Sequence, residues 1–389
     1  MQAYLDNAAT TKLSPAARDA MLRGYEIYGN PSSLHSLGRE AANALQEARE
    51  RIAKCIGASP GEVYFTSGGT EADNQAIASA VGHARDKRHI ITTSVEHHAV
   101  LHYLKRFTVT RGFSLSLIQV DEDGLVNPDD IKAAIREDTC LVSVMFANNE
   151  IGAIQPIEKI GGICRAANVP FHCDAVQAAG HLPLDVKHLN VDMLSISGHK
   201  FHGPKGVGAL YCRRGMPLRP LLLGGAQERN RRAGTENLPA VMGMAAALEE
   251  SVAEMNEVSA RLIGFRNQLI EGLSKIERSH LNGSGTRRLP NNVSFCFEGL
   301  EGESLLLYLD ARGIAASTGS ACTSGSLEPS HVLLAIGRPH EVAHGSLRLS
   351  LSRYTTQEEI DYALREIPII VERLRGMSPV WDRLAGSAR

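Results

Sequence analysis

One tryptophan, 5% aromatic residues and seven cysteines in 389 residues are what this sequence holds in short supply. The cysteines, at 55, 140, 164, 173, 212, 296 and 322, are odd in number and scattered, so no disulfide framework is expected. A reducing cytoplasm is the expected compartment, and there a thiol stays free to react. No stretch approaches the ~18–20 apolar residues of a membrane span. Residues 1–6 carry neither the basic nor the apolar part of a secretion signal. Charge of one sign is also missing: 41 Lys and Arg face 43 Asp and Glu, giving a net charge of −2. Bulk attraction to nucleic acid or to an anionic membrane is thereby excluded. The basic runs at 229–232 and 287–288 read as local contacts. There is no internal repeat, no low-complexity linker, no Cys-x-x-Cys, and no Gly-x-Gly-x-x-Gly after the first strand to seat a nicotinamide dinucleotide. His98 and His102, or His172 and Cys173 with His199 and His202, are the only metal readings weighed, and no metal is expected.

What is present is alternation. Short β-branched runs at 63–66, 89–93, 114–120, 139–146, 170–173, 193–197 and 209–212 are separated by helical patterns at 39–56, 71–81, 128–135 and 157–167. That order predicts an α/β fold, a mainly parallel sheet flanked by helices. From about Pro239 the texture changes: a long helix-favouring stretch, 240–276, leads to strands at 292–297, 314–316 and 346–351 and a last helix from near Thr356. A large α/β domain (13–255) and a smaller α+β domain (1–12 with 256–389) are expected, with the boundary inside that long helix.

Ligands of open parallel sheets bind beyond the carboxyl ends of the strands, and three strand ends here are polar. After the first strand, Ser67-Gly68-Gly69-Thr70-Glu71-Ala72-Asp73 offers glycines for close backbone approach, and Thr70 stands where a helix N-cap belongs, with Asp73 as its capping-box partner. Such a helix start seats a phosphate, or is simply a well-capped turn. Asp174 follows an apolar strand directly, so it either caps a helix or holds a cationic partner such as a pyridinium nitrogen. Lys200, in Ser197-Gly198-His199-Lys200, either snorkels to water or is chemically used, in which case a lowered pKa suits a Schiff base. A carboxylate and a lysine 26 positions apart, with a phosphate seat upstream, meet the needs of pyridoxal 5′-phosphate: aldehyde, ring nitrogen and phosphate.

At that point Tyr4-Leu5-Asp6-Asn7-Ala8-Ala9-Thr10-Thr11, Gly29-Asn30-Pro31, Thr70-Glu71-Ala72-Asp73-Asn74, Glu96-His97, Asn148-Asn149-Glu150-Ile151-Gly152, Ser197-Gly198-His199-Lys200, Arg232-Ala233-Gly234-Thr235-Glu236-Asn237, Ser317 through Gly325, and Arg348-Leu349-Ser350-Leu351-Ser352-Arg353 stand in one order. In these segments the chain resembles class V aminotransferase-fold proteins (fold type I), specifically cysteine desulfurases of the NifS/IscS type. The resemblance implies pyridoxal phosphate as cofactor and L-cysteine as substrate. Lys200 would carry the cofactor aldehyde and shuttle the Cα proton. Asp174 would pair with the ring nitrogen, Gln177 with the ring hydroxyl, and His97 would stack on the ring and assist proton transfer. Gly69, Thr70, Ser197 and His199 would hold the phosphate, joined by Thr235 from the other subunit of a homodimer. Asn149 and Arg348 would hold the substrate carboxylate, with Asn149 also touching the cofactor.

Cys322 decides the implied reaction. Its surroundings, Gly319-Ser320-Ala321-Cys322-Thr323-Ser324-Gly325, are small and polar, unlike those of a core cysteine, so it is either an exposed spectator or the sulfur acceptor. By resemblance its thiolate takes the sulfur as a persulfide, with His97 as the base, leaving alanine. The sulfur would then pass to an acceptor protein, an iron–sulfur scaffold or a tRNA-thiolation enzyme. A selenocysteine lyase or transaminase of the same fold, and a non-catalytic scaffold for a sulfur carrier, are the alternatives. The tail at 376–389 does not resemble the scaffold-binding end of the housekeeping enzymes, and His98 and Gly69 stand where lysine and alanine are common.

Overall fold

The computed structural model describes residues 1–319, 329–379 and 381, so the expectations placed on Cys322 lie outside the described residues. In chain order its elements are β1 (Ala3–Tyr4), α1 (Pro15–Glu26), α2 (Ser36–Cys55), β2 (Val63–Thr66), α3 (Gly69–Gly82), β3 (His89–Thr93), α4 (His98–Arg111), β4 (Ser114–Ile118), α5 (Pro128–Ala134), β5 (Thr139–Ser143), α6 (Ile157–Ala166), β6 (Phe171–Asp174), β7 (Met193–Ser197) and β8 (Gly208–Cys212). There follow α7 (Gln227–Asn230), α8 (Leu238–Ala253), α9 (Met255–Leu273), β9 (Ser279–Leu281), β10 (Asn292–Phe297), α10 (Gly302–Ala311), β11 (Ile314–Ala315), α11 (His331–Ala335), α12 (His340–Ala343), β12 (Ser346–Ser350) and α13 (Gln357–Arg375).

Seven strands form the large sheet in the order β2-β8-β7-β6-β5-β3-β4. Only β8 runs against its neighbours; the rest pair in parallel. Both faces are covered, as the unbroken apolar character of the strands requires. Because side chains alternate along a strand, Phe171 and Cys173 of β6 and Leu194 and Ile196 of β7 enter the core shared with α2, α6 and α8. The intervening residues face α3, where Met193 joins Ala72, Ala76 and Ile77. The register pairs His172 with Met193 and Asp174 with Ser195, so this second face also carries the polar residues His172, Asp174, Ser195 and Ser197.

The expected single helix over 240–276 is two helices, broken at Glu254 (φ −98°, ψ 1°). One straight helix cannot serve both neighbours it has. Leu238, Val241, Met244 and Leu248 of α8 belong to the core of the large sheet, whereas Leu262, Leu269 and Leu273 of α9 pack with β10, β12, α10 and α13. Those last elements build a three-stranded antiparallel sheet, β12-β10-β9, beside the parallel pair β1-β11. A further apolar cluster joins the two units, bringing Val95, Met145 and Ile151 against Cys296, Val332, Leu333 and Ile336.

The N-terminal segment stitches the units together. Leu5 N–H donates to Ala315 O at 2.8 Å, Asn7 Nδ2 to Ser350 O at 2.8 Å, and Ala8 N–H to Ser350 Oγ at 2.8 Å. A few residues later Thr11 N–H donates to His199 O at 3.0 Å and Ser14 N–H to His202 O at 2.9 Å. The chain thus crosses from the small sheets to the turn that carries Lys200.

Candidate active site

The ends of β2, β6 and β7 converge with the turns after β3 and β5 on one cavity of about 310 Å³, within the usual size of a small-molecule site. Gly69, Thr70, His97, Asn149, Asp174, Gln177, Ser197, His199, Lys200 and Arg348 all line it. Each arrives for a local reason. Lys200 ends the one-turn 3-10 helix Gly198–Lys200 that follows β7, and its Nζ donates to Ala8 O at 2.6 Å and Ala9 O at 2.8 Å. Asp174 ends β6; its Oδ1 accepts the Val176 N–H at 2.9 Å, an Asx turn that stops the strand. Gln177 Nε2 donates to Ala8 O at 3.0 Å. Asn149 sits in the turn after β5, where Asn148 Oδ1 accepts the Glu150 and Ile151 amides at 2.8 and 2.9 Å.

Helix α3 begins two residues earlier than expected. Gly68 is its N-cap and Gly69 its first residue, so Thr70 is inside the first turn and makes no cap with Asp73. The reason is steric: a Cβ at Gly69 would lie 2.6 Å from Val176 Cγ2, so only glycine lets the helix start this close to the loop after β6. The helix still presents free-ended amides to the cavity, as every α-helix N-terminus does.

Burial governs the charges. Asp174, 5% exposed, has its carboxyl pushed up to about 7 by burial and by the neighbouring Asp73. Asp73 is likewise pushed up to about 7 by burial, and Glu96 to about 8. A carboxyl so placed is held back from ionising until a cation arrives. Burial and the Lys200 ammonium push both His97 and His199 down to about 4, so both rings are neutral near pH 7. His97 Nδ1 accepts the Ala99 N–H at 3.1 Å as the N-cap of α4, which leaves its ring proton on Nε2. Behind Asp174, His172 bridges Ser143 Oγ at 2.9 Å and Ser195 Oγ at 3.0 Å. Arg348, 3% exposed, reaches Asp6 Oδ1 at 2.9 Å and Asn149 O at 3.1 Å. Its buried Nε has no hydrogen-bond partner among the described residues.

This donor set fits pyridoxal phosphate. A buried carboxyl short of a cation, a lysine amine held by two carbonyls, and a helix N-terminus whose first residue must lack a Cβ all open on one cavity. Thr235 is on an exposed segment away from that cavity. Asp73 and Glu96 were missed in the sequence. Asp73 reads there as a cap partner, and Glu96 carries no pattern of its own beyond preceding His97.

Contrary to the expectation of no His-Glu-x-x-His in the chain, His340-Glu341-Val342-Ala343-His344 has that spacing. A metalloprotease places that motif on a long helix with a further ligand. Here it spans the four-residue α12, and among the described residues no three His, Cys, Asp or Glu side chains are grouped to hold a metal ion. His98 and His102 stack at 4.6 Å with His331 4.7 Å from His98, outside the cavity lining.

Residues 3–363 match the family model "Aminotransferase class-V". The chain is 55% identical over 379 residues to "Cysteine desulfurase IscS" of Methanosarcina thermophila, covering 97% of this chain and 94% of that one. It is 48% identical to "Cysteine desulfurase" of Nostoc sp., covering 98% and 96%. Among solved structures, a "NIFS-LIKE PROTEIN" superposes with a TM-score of 0.91 at 40% identity, covering 96% of this chain and 100% of that one. "SspA in complex with cysteine" superposes with a TM-score of 0.81 at 36% identity, covering 91% and 100%. With a cavity at its strand ends whose residues fit pyridoxal phosphate, and relatives of this closeness, the chain belongs to the class V aminotransferases and, within them, to the cysteine desulfurases.

Proposed function

We propose that L-cysteine binds in this cavity with its carboxylate on Arg348 and Asn149, and that its sulfur passes to the thiol of Cys322. The orphaned Nε of Arg348 beside the cavity supports the first part, since a guanidinium with a spare buried donor suits a carboxylate. Pyridoxal phosphate, when bound, is an electron sink for the substrate Cα and makes the β-carbon–sulfur bond breakable. Lys200 would hold its aldehyde, Asp174 its ring nitrogen and Gln177 its ring hydroxyl. Gly69, Thr70, Ser197 and His199 would hold its phosphate, with Thr235 of a second copy.

The residues then divide the proton work. Lys200 Nζ, aimed by the Ala8 and Ala9 carbonyls, takes the Cα proton and returns it. His97 would stack over the ring, and it faces the site as an Nε2–H donor; serving as the base for Cys322 requires the other tautomer, with its Ala99 bond broken. The Cys322 thiolate attacks the substrate sulfur, a sulfur–sulfur bond forms, and the bond to the β-carbon breaks. The β-carbon keeps that electron pair and takes a proton, so the products are alanine and a Cys322 persulfide.

An acceptor protein, an iron–sulfur scaffold or a tRNA-thiolation enzyme, would take the persulfide sulfur. A homodimer belongs to this reading because Thr235 is absent from the lining of the cavity of its own copy. The cytoplasm suits the six unpaired cysteines among the described residues; no helix among those residues is long and apolar enough to cross a membrane. Two domains, 13–255 and 1–12 with 256–389, accord with the separate cores.

The observation that carries the reading is the meeting of Lys200, Asp174 and the start of α3 on one cavity. Lys200→Ala should abolish alanine release from cysteine together with the visible absorbance band. Cys322→Ala should keep the absorbance change on adding cysteine but form no persulfide. A Lys200→Ala enzyme that still releases alanine at the parent rate refutes the assignment.

A further inference from the structure

The proposed chemistry leaves one buried ionisable group near the cavity without a task. Glu150 is 6% exposed and follows Asn149 in the turn after β5. Its backbone is fixed twice, by the Asn148 side chain at 2.8 Å and by Asn292 Nδ2 on its carbonyl at 3.2 Å. Its carboxyl meets residues on both sides of the stretch 320–328, Ser330 and Gly319. Ser330 Oγ donates to Glu150 Oε2. That hydroxyl also accepts the amides of Val332 at 3.1 Å and Leu333 at 3.4 Å, so its single proton is committed to the carboxyl.

The other flank is as close. A Cβ on Gly319 would lie 2.6 Å from Glu150 Oε2 and 3.2 Å from Ser330 Cβ. Gly319 N–H is itself held by Ser346 Oγ at 3.3 Å, and Ser317 pairs with Arg348. Cys322 stands three positions after Gly319 and eight before Ser330 in the chain. Where those two residues are held therefore sets where the stretch bearing the thiol departs and returns.

Burying a carboxyl is costly unless something is gained from it. Burial pushes Glu150 up to about 7, and the Arg348 guanidinium works against that shift. A stable joint between Gly319 and Ser330 needed no acid, because an apolar side chain of similar size would fill the space. What an acid adds is a directional acceptor for Ser330, on the residue next to Asn149, whose carbonyl is held by Arg348.

We infer that Glu150 is a positioning residue for sulfur transfer: its carboxyl bonds Ser330 and lies against Gly319, and so holds the return of the Cys322-bearing stretch, close beside its departure, to the turn that lines the substrate cavity. The inference rests on the reading of Cys322 as sulfur acceptor. It predicts that loss of the joint slows the step that needs the thiol and spares the steps that do not.

The test uses the holoenzyme in single turnover with L-cysteine. One measurement is the absorbance change on cysteine addition, which precedes sulfur transfer; the other is persulfide on Cys322, read by alkylation and mass. Glu150→Ala and Ser330→Ala should each slow persulfide formation about tenfold, the weight of one hydrogen bond to a charged group. The absorbance change should stay within about twofold of the parent, and KM for cysteine should move far less than kcat. Glu150→Gln keeps an oxygen for Ser330 and should recover most of the rate. Gly319→Ala, whose methyl displaces the carboxyl, should match Glu150→Ala, and adding it to Glu150→Ala should cost nothing more. Should Glu150→Ala not fold, Ser330→Ala and Gly319→Ala carry the same comparison.

Parent-like persulfide formation in Glu150→Ala overturns the inference while leaving the Cys322 reading intact. So does joint loss of the absorbance change and the persulfide, the mark of a merely structural or substrate-binding role. No persulfide on Cys322 in the parent enzyme overturns the Cys322 reading, and the inference with it.

Discussion

Replacing Glu228 by alanine should cost the protein about 5 kcal/mol. Arg49 and Glu228 are 6% and 4% exposed and meet in a two-pronged ion pair, Nη1–Oε2 at 2.8 Å and Nη2–Oε1 at 2.6 Å. Glu228 Oε2 also accepts the Phe65 N–H at 2.9 Å, and Arg49 Nη1 donates to Val63 O at 2.8 Å. The guanidinium lies 4.5 Å from the centre of the Phe65 ring. Breaking a buried pair from one side leaves an uncompensated charge, at about 3–5 kcal/mol. The orphaned Phe65 amide adds about 1–3 kcal/mol. Against this, Glu228, Arg229 and Asn230 all have left-handed backbones (φ 46°, 59° and 62°), and relaxing one such residue returns about 1 kcal/mol. Arg49→Met combined with Glu228→Leu removes both charges and leaves Val63 O its bond from Arg229 Nη2 at 2.7 Å, but the Phe65 N–H stays unpaired, so about half the loss should be recovered. Urea unfolding followed by far-ultraviolet circular dichroism measures this; the single variant's midpoint should fall by about 1 M or more. The reasoning is refuted if Glu228→Ala shifts the midpoint by less than about 0.3 M, or if the double variant is weaker than both single ones. The same segment leads to Thr235, so Glu228→Ala should also retain cofactor less well on dialysis.

Gly69→Ala should weaken cofactor retention, because the new methyl meets Val176 at 2.6 Å and overpacking of this kind costs about 1–3 kcal/mol. Val176→Ala in the same chain should restore part of it, and equal retention by Gly69→Ala and the parent counts against the close approach. Glu96→Gln should change the pH dependence of stability. The folded-state carboxyl sits at about 8, above its ordinary 4.5, so its contribution is present below pH 4.5 and is lost as pH rises toward 8. The variant should therefore gain on the parent in unfolding midpoint between pH 5 and 8, by at most about 1.4 kcal/mol per pH unit. Parallel curves would mean that Glu96 titrates normally.

Much of the site is legible in the sequence because strands end where apolar alternation gives way to charge. Asp174 and Lys200 stand out for that reason, and both line the cavity. The start of α3 was misread for the opposite reason: glycine is a poor helix former, so Thr70 looks like the cap. A contact with Val176, more than a hundred positions away, is what requires glycine inside the helix. The break at Glu254 carries no glycine or proline, and only the demand of two cores separates α8 from α9. The carbonyls of Ala8 and Ala9 were invisible because a backbone acceptor has no residue identity. Asp73 and Glu96 look like surface positions until the sheet and α3 close over them.

The grip of residues 8 and 9 on Lys200 has a consequence for synthesis. That segment is anchored by Ala315 and Ser350, which leave the ribosome more than three hundred residues after it. Contacts so remote in sequence form late. A nascent chain that already contains its lysine and its phosphate seat lacks the brace that aims the amine. The amine thus gains its aim only once nearly all of the chain has been translated.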